Sequence, residues 1–233
     1  KINSQHIDEY IRNGGLPGIC FLRDRSHIKN RFKAHIETLL QRDFQMVTQT
    51  TIEYDKLLSF LKYLAVQSGL PFVISDCSRA IRMAPNTIKK TLFGFESLFL
   101  IRKLQGFGFL KKQKYFFEDL GMSWYLNEPE KTDLNHFLLS QIFAQSHYLH
   151  PHNVELGYIT SRSGETVPLV VKTENQQYGF IVLDHEAVTP NDEKKAKLFF
   201  DTFKKGHFFY VTMGTSAFRI SRQVTQIPLR GII

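Results

Sequence analysis

The stretch SDCSRAIRMAPNTIKKTLFGFESL, residues 75–98, has the pattern of two helices joined by a tight turn. Apolar residues of the first helix recur three and four apart, which is the spacing of one helix face. Ser75 or Asp76 would cap this helix at its N-terminus. Pro85 suits the first turn of a second helix, because backbone N–H groups there have no hydrogen-bond partner within the helix and the N–H that proline lacks is not needed. The residues expected on the inward face of the first helix are Cys77, Ala80 and Ile81.

The second helix has an apolar side and a polar side. In a DNA-binding helix-turn-helix, the second helix lies in the major groove, so its polar side meets phosphates and base edges. This sequence therefore predicts a recognition helix over residues 85–98. The inward residues are Ile88, Leu92, Phe95 and Phe99, and the outward or N-terminal residues are Asn86, Thr87, Lys89 and Lys90.

Residues 100–119, LIRKLQGFGFLKKQKYFFED, alternate apolar and basic residues around two glycines. That pattern predicts a two-stranded hairpin. A helix-turn-helix followed by a hairpin is a winged helix, whose wing also approaches DNA. The DNA contacts that we expect are Arg79 and Arg82 on phosphate, Asn86, Thr87, Lys89 and Lys90 in the groove, and Lys111, Lys112 and Lys114 on the wing.

The charge distribution supports the same region. From Ser75 to Tyr115, nine basic residues stand against two acidic ones, a local excess of +7, whereas the whole chain carries +8. A basic excess confined to one module is expected of a phosphate-binding surface. Winged helices also dock on proteins, and surface lysines aid solubility, so a protein-docking role is the alternative.

Composition excludes several classes of protein. The chain has 233 residues, 42% of them apolar, with 21 Phe and 9 Tyr, which is ample for a folded core. No run approaches the roughly 18 apolar residues of a membrane span. The N-terminal KINSQHIDEY lacks the apolar core of a signal peptide, which favours a cytoplasmic protein.

The pattern along the chain predicts an α+β fold in three parts. Residues 1–50 read as a helical segment and 51–127 as a winged-helix domain. The polar NEPEKTD marks a boundary near Glu128, and 128–233 reads as a small α/β domain with a mixed sheet. Its elements are a helix, three strands, a helix with Asp192 among its solvated residues, and two final strands.

Four strings in order resemble one family. They are YIRNGGLP at 10–17, LLQRD at 39–43, APNTIKKTL at 84–92 and YFFEDLG at 115–121. Together they resemble the C-terminal half of prokaryotic P-loop ATPases of the AAA+ or STAND type. In that family an ATPase module precedes a helical segment, a winged helix and a nuclease-like domain of restriction-endonuclease topology. The resemblance implies that an ATPase module of the same protein is a partner of this chain.

The chain departs from that family at the nucleotide site. It contains no G-x-x-x-x-G-K-[ST] string, whose backbone amides would cradle phosphates. We therefore expect no cofactor in this chain. ATP and Mg²⁺ would be required only by an ATPase module elsewhere in the protein.

The nuclease-like part also departs from its family. In intact members of the family that the chain resembles, the metal site consists of a Glu on a helix, an Asp at the start of a strand, and a Glu-x-Lys on the next strand. The carboxylates of this motif hold Mg²⁺. Here Phe137–Leu139, Pro168, and Val182 with Asp184 stand in those places. We expect a degenerate, non-catalytic domain with no metal. The acidic and basic residues nearest to the motif are Glu165, Asp184, Glu186 and Lys172, and the histidine-rich HYLHPH contributes His147, His150 and His152, expected to be loop residues.

The leading hypothesis is a non-catalytic DNA-binding region of a prokaryotic ATPase, with duplex DNA as partner and no membrane contact. The alternative is an intramolecular regulatory or protein-docking module of that ATPase with no direct DNA contact.

Overall fold

The chain has an α+β fold, in which helices accompany an eight-stranded mixed sheet. It divides into two compact units. The N-terminal unit is formed by Gln5–Lys103 and Lys114–Thr132, and the C-terminal unit by Leu104–Gln113 and Asp133–Ile233. The computed structural model describes residues 4–109, 111–129, 133–149, 154–185 and 187–231.

The N-terminal unit is mainly helical. The LLQRD string, Leu39–Asp43, forms a single π-helical turn that joins α2 to α3. Wider i→i+5 turns of this kind are tolerated inside longer helices. The helices are α1 Ser4–Asn13, α2 Arg25–Thr38, α3 Phe44–Thr48, α4 Tyr54–Val66, α5 Ile74–Ile81, α6 Pro85–Ser97 and α7 Leu120–Asn127.

One apolar core joins helices α2 to α7 of this unit. Phe44 of α3 packs on Phe95 of α6 with ring centroids 5.4 Å apart, and the ring of Phe60 of α4 lies 5.7 Å from that of Phe95. All three side chains are fully buried. Consequently the predicted helical segment and the predicted winged-helix region share a core rather than forming separate bodies.

The inward face of α6 is as the sequence predicts at Ile88, Leu92 and Phe95, whereas Phe99 and the inward face of α5 differ. Ala80 is exposed, because α5 begins at Ile74 and its inward residues are Ile74, Cys77 and Ile81. Its N-cap is Val73, so the expected caps at Ser75 and Asp76 are wrong. Phe99 was also expected inward, but its backbone is left-handed (φ 54°) beyond the end of α6 and its side chain is 79% exposed. The buried residues of α6 are Ile88, Thr91, Leu92, Gly94 and Phe95.

Two strings of the family resemblance meet in one contact. Asp119 caps α7 by accepting from the backbone N–H of Met122 (2.8 Å), and its other oxygen accepts from the N–H of Gly15 (2.7 Å). Gly121 lies so close that a Cβ there would be 2.4 Å from the backbone nitrogen of Gly14. The GGLP and EDLG segments therefore pack directly against each other.

The sheet order is β2-β1-β3-β4-β5-β6-β8-β7. Pairs β3·β4 and β4·β5 are antiparallel, whereas β1·β3, β5·β6 and β6·β8 are parallel, which confirms a mixed sheet. The strands are β1 Ile101–Phe107, β2 Gln113–Phe117, β3 Glu155–Thr160, β4 Thr166–Lys172, β5 Gln177–Val182, β6 His207–Thr212, β7 Phe218–Arg219 and β8 Val224–Pro228, and the remaining helices are α8 Leu134–Leu149 and α9 Pro190–Thr202.

The C-terminal part departs from the sequence prediction in its last strands. Two final strands were expected, but the segment after β6 folds back, so that β7 pairs antiparallel with β8. The tip of the predicted wing also belongs to this unit, because Gln105–Phe107 of β1 pair in parallel with Gly157–Ile159 of β3. No helix within the described ranges is long and apolar enough to cross a membrane.

Candidate nucleic-acid interface

The turn between α5 and α6 is fixed by local hydrogen bonds. The hydroxyl of Ser78 donates to the carbonyl of Met83 at 2.7 Å, and the backbone N–H of Arg82 donates to the carbonyl of Ser78. Arg82 takes a left-handed backbone with φ 51°. Pro85 then occupies the first turn of α6, where proline is favoured. These contacts set the direction in which α6 leaves the turn.

The outward face of α6 is basic with one aromatic side chain at its centre. Asn86, Lys89 and Lys90 are exposed, as predicted, and Phe93 is 65% exposed beside them. At about 100° per residue, Asn86 and Phe93 lie on the centre line of this face, with one lysine on each flank. Thr87 is only half-buried, and its carbonyl accepts from the hydroxyl of Thr91 at 2.8 Å.

Ion pairs neutralise part of the basic excess seen in the sequence. Arg79 pairs with Asp76 at 2.6 Å, Lys103 lies 3.7 Å from Glu96, and Arg102 pairs with Glu118. By contrast, Arg82, Lys89 and Lys90 take part in no ion pair among the residues that the structure describes. The net positive charge of the N-terminal unit's helix-turn segment is thus concentrated at the turn and on α6.

The wing lysines do not behave alike. Lys111 and Lys112 are exposed but belong to the C-terminal unit, not to the unit that carries α6. Lys114 is only 5% exposed, so its prediction as an exposed DNA contact is wrong. Its backbone forms a β-bridge with Pro71 of the α4–α5 loop, which lies along this edge of β2. Alternation within β2 alone could not show that a distant loop pairs with this strand.

Phe93 is not among the residues that the sequence analysis placed on the inward or the outward face of α6. The signal was available, because Phe93 is four residues after Lys89 and three after Lys90, and such neighbours share a helix face. An exposed phenylalanine amid lysines is therefore the feature of this face that periodicity could have revealed.

A second group of lysines lines a cleft of about 420 Å³ elsewhere in the N-terminal unit. Lys29, Lys33 and Lys62 surround it. Lys29 pairs with Glu128, and Lys33 lies 3.9 Å from Glu37. This cleft is therefore less cationic than the α6 face, but replacing two of its lysines removes the same charge as replacing Lys89 and Lys90.

In the C-terminal unit, the acids nearest to the nuclease motif have local partners. Glu165 accepts hydroxyl hydrogen bonds from Ser161 (2.6 Å) and Ser163, which lower its pKa to about 2. Lys172 donates to Glu155 at 3.0 Å. The residues in place of the expected helix glutamate, Phe137, Leu138 and Leu139, are buried.

Asp184, another of the acids near the motif, belongs to a cluster centred on His185. One ring nitrogen of His185 lies 2.7 Å from Asp184 and the other 2.8 Å from Asp192. Because carboxylates engage both nitrogens, the imidazole has no free nitrogen to act as a general base in this arrangement. The two acids raise the pKa of His185.

Asp192 was expected to be solvated, but its side chain is 3% exposed. It sits at the third position of α9 in a capping box with Thr189, which buries it against its own helix end. Burial opposes its ionisation, yet hydrogen bonds from Thr189 and His185 and the charge of Lys195 outweigh that effect and lower its pKa to about 2.

Within the described part of the chain, no group of three or more His, Cys, Asp or Glu side chains is placed to hold a metal ion. Glu186, His150 and His152 lie outside the described residues, and the side chain of His147 lies outside them as well.

No curated protein and no solved structure matches the chain. A family match covers residues 4–133, more than half of the sequence. Its end lies next to the end of the N-terminal unit at Thr132, so the match spans the unit that carries α5 and α6. By this match, the chain belongs to the family described as "Domain of unknown function (DUF8612)".

Proposed function

We propose that the N-terminal unit is a winged-helix module that binds duplex DNA through the outward face of α6. The observation that carries this proposal is the concentration of Arg82, Lys89 and Lys90, without ion-pair partners among the described residues, at the turn and on one helix face. Helix faces of this composition suit the phosphates and base edges of the major groove. Arg79 retains a place at the edge, where phosphate would compete with Asp76.

The wider setting forms part of the same proposal. The chain would be the non-catalytic C-terminal region of a prokaryotic, cytoplasmic ATPase, with the C-terminal unit as a degenerate restriction-endonuclease-like domain. Support comes from the mixed sheet and from the local partners of Glu165 and Asp192. Lys111 and Lys112 would add phosphate contacts of their own. Plasmid nicking with Mg²⁺ or Mn²⁺ should give no product.

Fluorescence anisotropy with a labelled duplex, titrated at several salt concentrations, tests DNA binding. Each phosphate contact contributes about 0.9 to the slope of log affinity against log salt. The double variant Lys89→Ala/Lys90→Ala should therefore lower the slope by about 2.

The matched control removes the same charge from the cleft, as Lys33→Ala/Lys62→Ala, and should leave the slope within about 0.5 of the original value. Equal losses in both variants would mean that net charge alone attracts DNA. Absence of binding to any duplex at low salt would overturn the proposal.

A second candidate function is protein docking within the ATPase, favoured by a specific observation. Met46 and Val47 of α3 are 73% and 41% exposed, and α3 packs on α6 around Gly94. Contiguous exposed apolar surface is typical of interaction sites. Cross-linking of the full-length protein with and without ATP would detect this contact. If α6 is covered in both states, docking replaces DNA binding.

A further inference from the structure

The α6 face carries one residue that phosphate binding does not require. Phe93 is 65% exposed at its centre. Leaving a phenyl ring in water forgoes most of the roughly 2 kcal/mol that its burial would contribute. Isolated exposed apolar residues are common, but this one lies between two lysines on the face already proposed to meet DNA.

The major groove offers one apolar group at the base edges, the C5 methyl of thymine. Phenylalanine contacts that methyl in known modes of base readout, whereas it gains little from the polar edges of guanine or cytosine. The flanking Lys89 and Lys90 can extend to phosphates on either side, because their flexible stems place the charge far from the helix axis. Phe93 would then face the groove floor.

Asn86 lies on the same centre line, seven residues before Phe93 and about 10.5 Å away along the helix axis. Asparagine forms two hydrogen bonds with adenine through N6 and N7. The two central residues of the face therefore select the same kind of base pair by different chemistry: a hydrogen-bonded amide for adenine and an apolar ring for the thymine methyl.

We infer that α6 reads A·T base pairs in the major groove, with Phe93 as the residue that recognises the thymine methyl and Asn86 as the one that recognises adenine. This inference rests on the DNA-binding function proposed above. It adds a sequence preference, which a purely electrostatic surface would lack.

The test uses the full chain and measures affinity for a set of duplexes that differ at one methyl group per base. An A·T-rich duplex is compared with its counterpart in which deoxyuridine replaces thymidine, and a G·C duplex with its 5-methylcytosine counterpart. The first change removes the C5 methyl and the second adds it. Loss of one buried methyl contact should lower affinity roughly threefold to fivefold, and methylation of cytosine should raise it.

Variants separate this inference from the proposed function. Phe93→Ala should abolish the discrimination between thymidine and deoxyuridine while keeping the salt slope. Phe99→Ala is the matched control, because Phe99 is 79% exposed beyond the end of α6, and it should leave the discrimination intact. Asn86→Ala should reduce the preference for A·T over G·C without affecting the response to the methyl group.

The possible failures are distinct. Salt-dependent binding without any response to the methyl group would overturn the inference and leave the proposed function standing. A response that persists in Phe93→Ala would also overturn it, since the methyl would then be read by another residue. Absence of all DNA binding would overturn both.

Discussion

Asp119 connects two chain segments that are more than 100 residues apart, since it caps α7 and also accepts from Gly15. Replacing it with alanine leaves both backbone N–H groups without this acceptor. We expect Asp119→Ala to lower the free energy of unfolding by about 2 kcal/mol, measured by urea denaturation.

The matched variant for this prediction is Asp24→Ala. Asp24 also caps a helix, accepting from His27 at 2.9 Å, but it lies on the surface and its hydrogen bonds among the described residues stay within its own segment. Asp24→Ala should lower the free energy of unfolding clearly less than Asp119→Ala does. Equal losses would mean that Asp119 acts as a helix cap alone.

Asp192 gives the C-terminal unit a defined response to acid. Its pKa is lowered from 3.8 to about 2 in the folded chain, so its contribution is present above about pH 4 and is lost as the pH falls toward 2. The contribution is at most about 2 kcal/mol. Asp192→Asn should flatten the dependence of the urea midpoint on pH in this range.

Asp201→Asn is the control for this titration, because Asp201 is exposed on the same helix. It should keep the acid response of the original chain. The contribution of His185 to stability depends on pH in the opposite direction. Because its pKa is raised in the folded chain, this contribution is complete below pH 6.5 and is lost as the pH rises through the folded pKa.

At the scale of elements, α6 and α3 cross at Gly94. A Cβ there would lie 2.5 Å from the side chains of both Phe44 and Thr48. Alanine is favoured over glycine in a helix by about 1 kcal/mol, but overpacking costs about 1–3 kcal/mol. Gly94→Ala should therefore destabilise the unit on thermal unfolding.

The control is Ser59→Ala, at an exposed position in the middle of α4, where the helix preference acts without a clash. It should be neutral or slightly stabilising. A gain in stability from Gly94→Ala would show that α3 can move away from α6 at little cost.

Helices and the polarity of α6 could be predicted from the sequence, because a spacing of three and four is a local property. The burial of Lys114 could not, since contacts between distant segments, such as the β-bridge between Pro71 and Lys114, form only in the folded chain. Asp192 was misplaced for a different reason: a capping box draws an acidic residue into the helix end, which composition alone does not distinguish from a solvated charge. Long-range pairing likewise decides which unit holds the hairpin tip.

For the whole molecule, a division at residue 133 should affect the two fragments unequally. Fragment 4–133 keeps every residue of the N-terminal unit's core. Fragment 133–233 loses Gln105–Phe107, the parallel partner of β3, and the Lys112 carbonyl that accepts from the hydroxyl of Tyr158 at 2.6 Å. We expect a cooperative urea transition for the first fragment and a weaker, aggregation-prone second fragment.

Circular dichroism and sedimentation of both fragments check this prediction. Adding residues 104–113 back through a linker should improve the second fragment. If 4–133 fails to unfold cooperatively, the core of the N-terminal unit depends on the rest of the chain.

The left-handed backbone of Arg82 sets the stability of the chain against the DNA binding that we propose. A non-glycine residue in this conformation costs about 1 kcal/mol, so Arg82→Gly should make the chain more resistant to urea. Gln49 has the same φ of 51° at the end of α3, and Gln49→Gly should give a similar gain. Only Arg82→Gly should also weaken DNA binding. The paired variants therefore measure how much stability the chain gives up for the proposed contact with DNA.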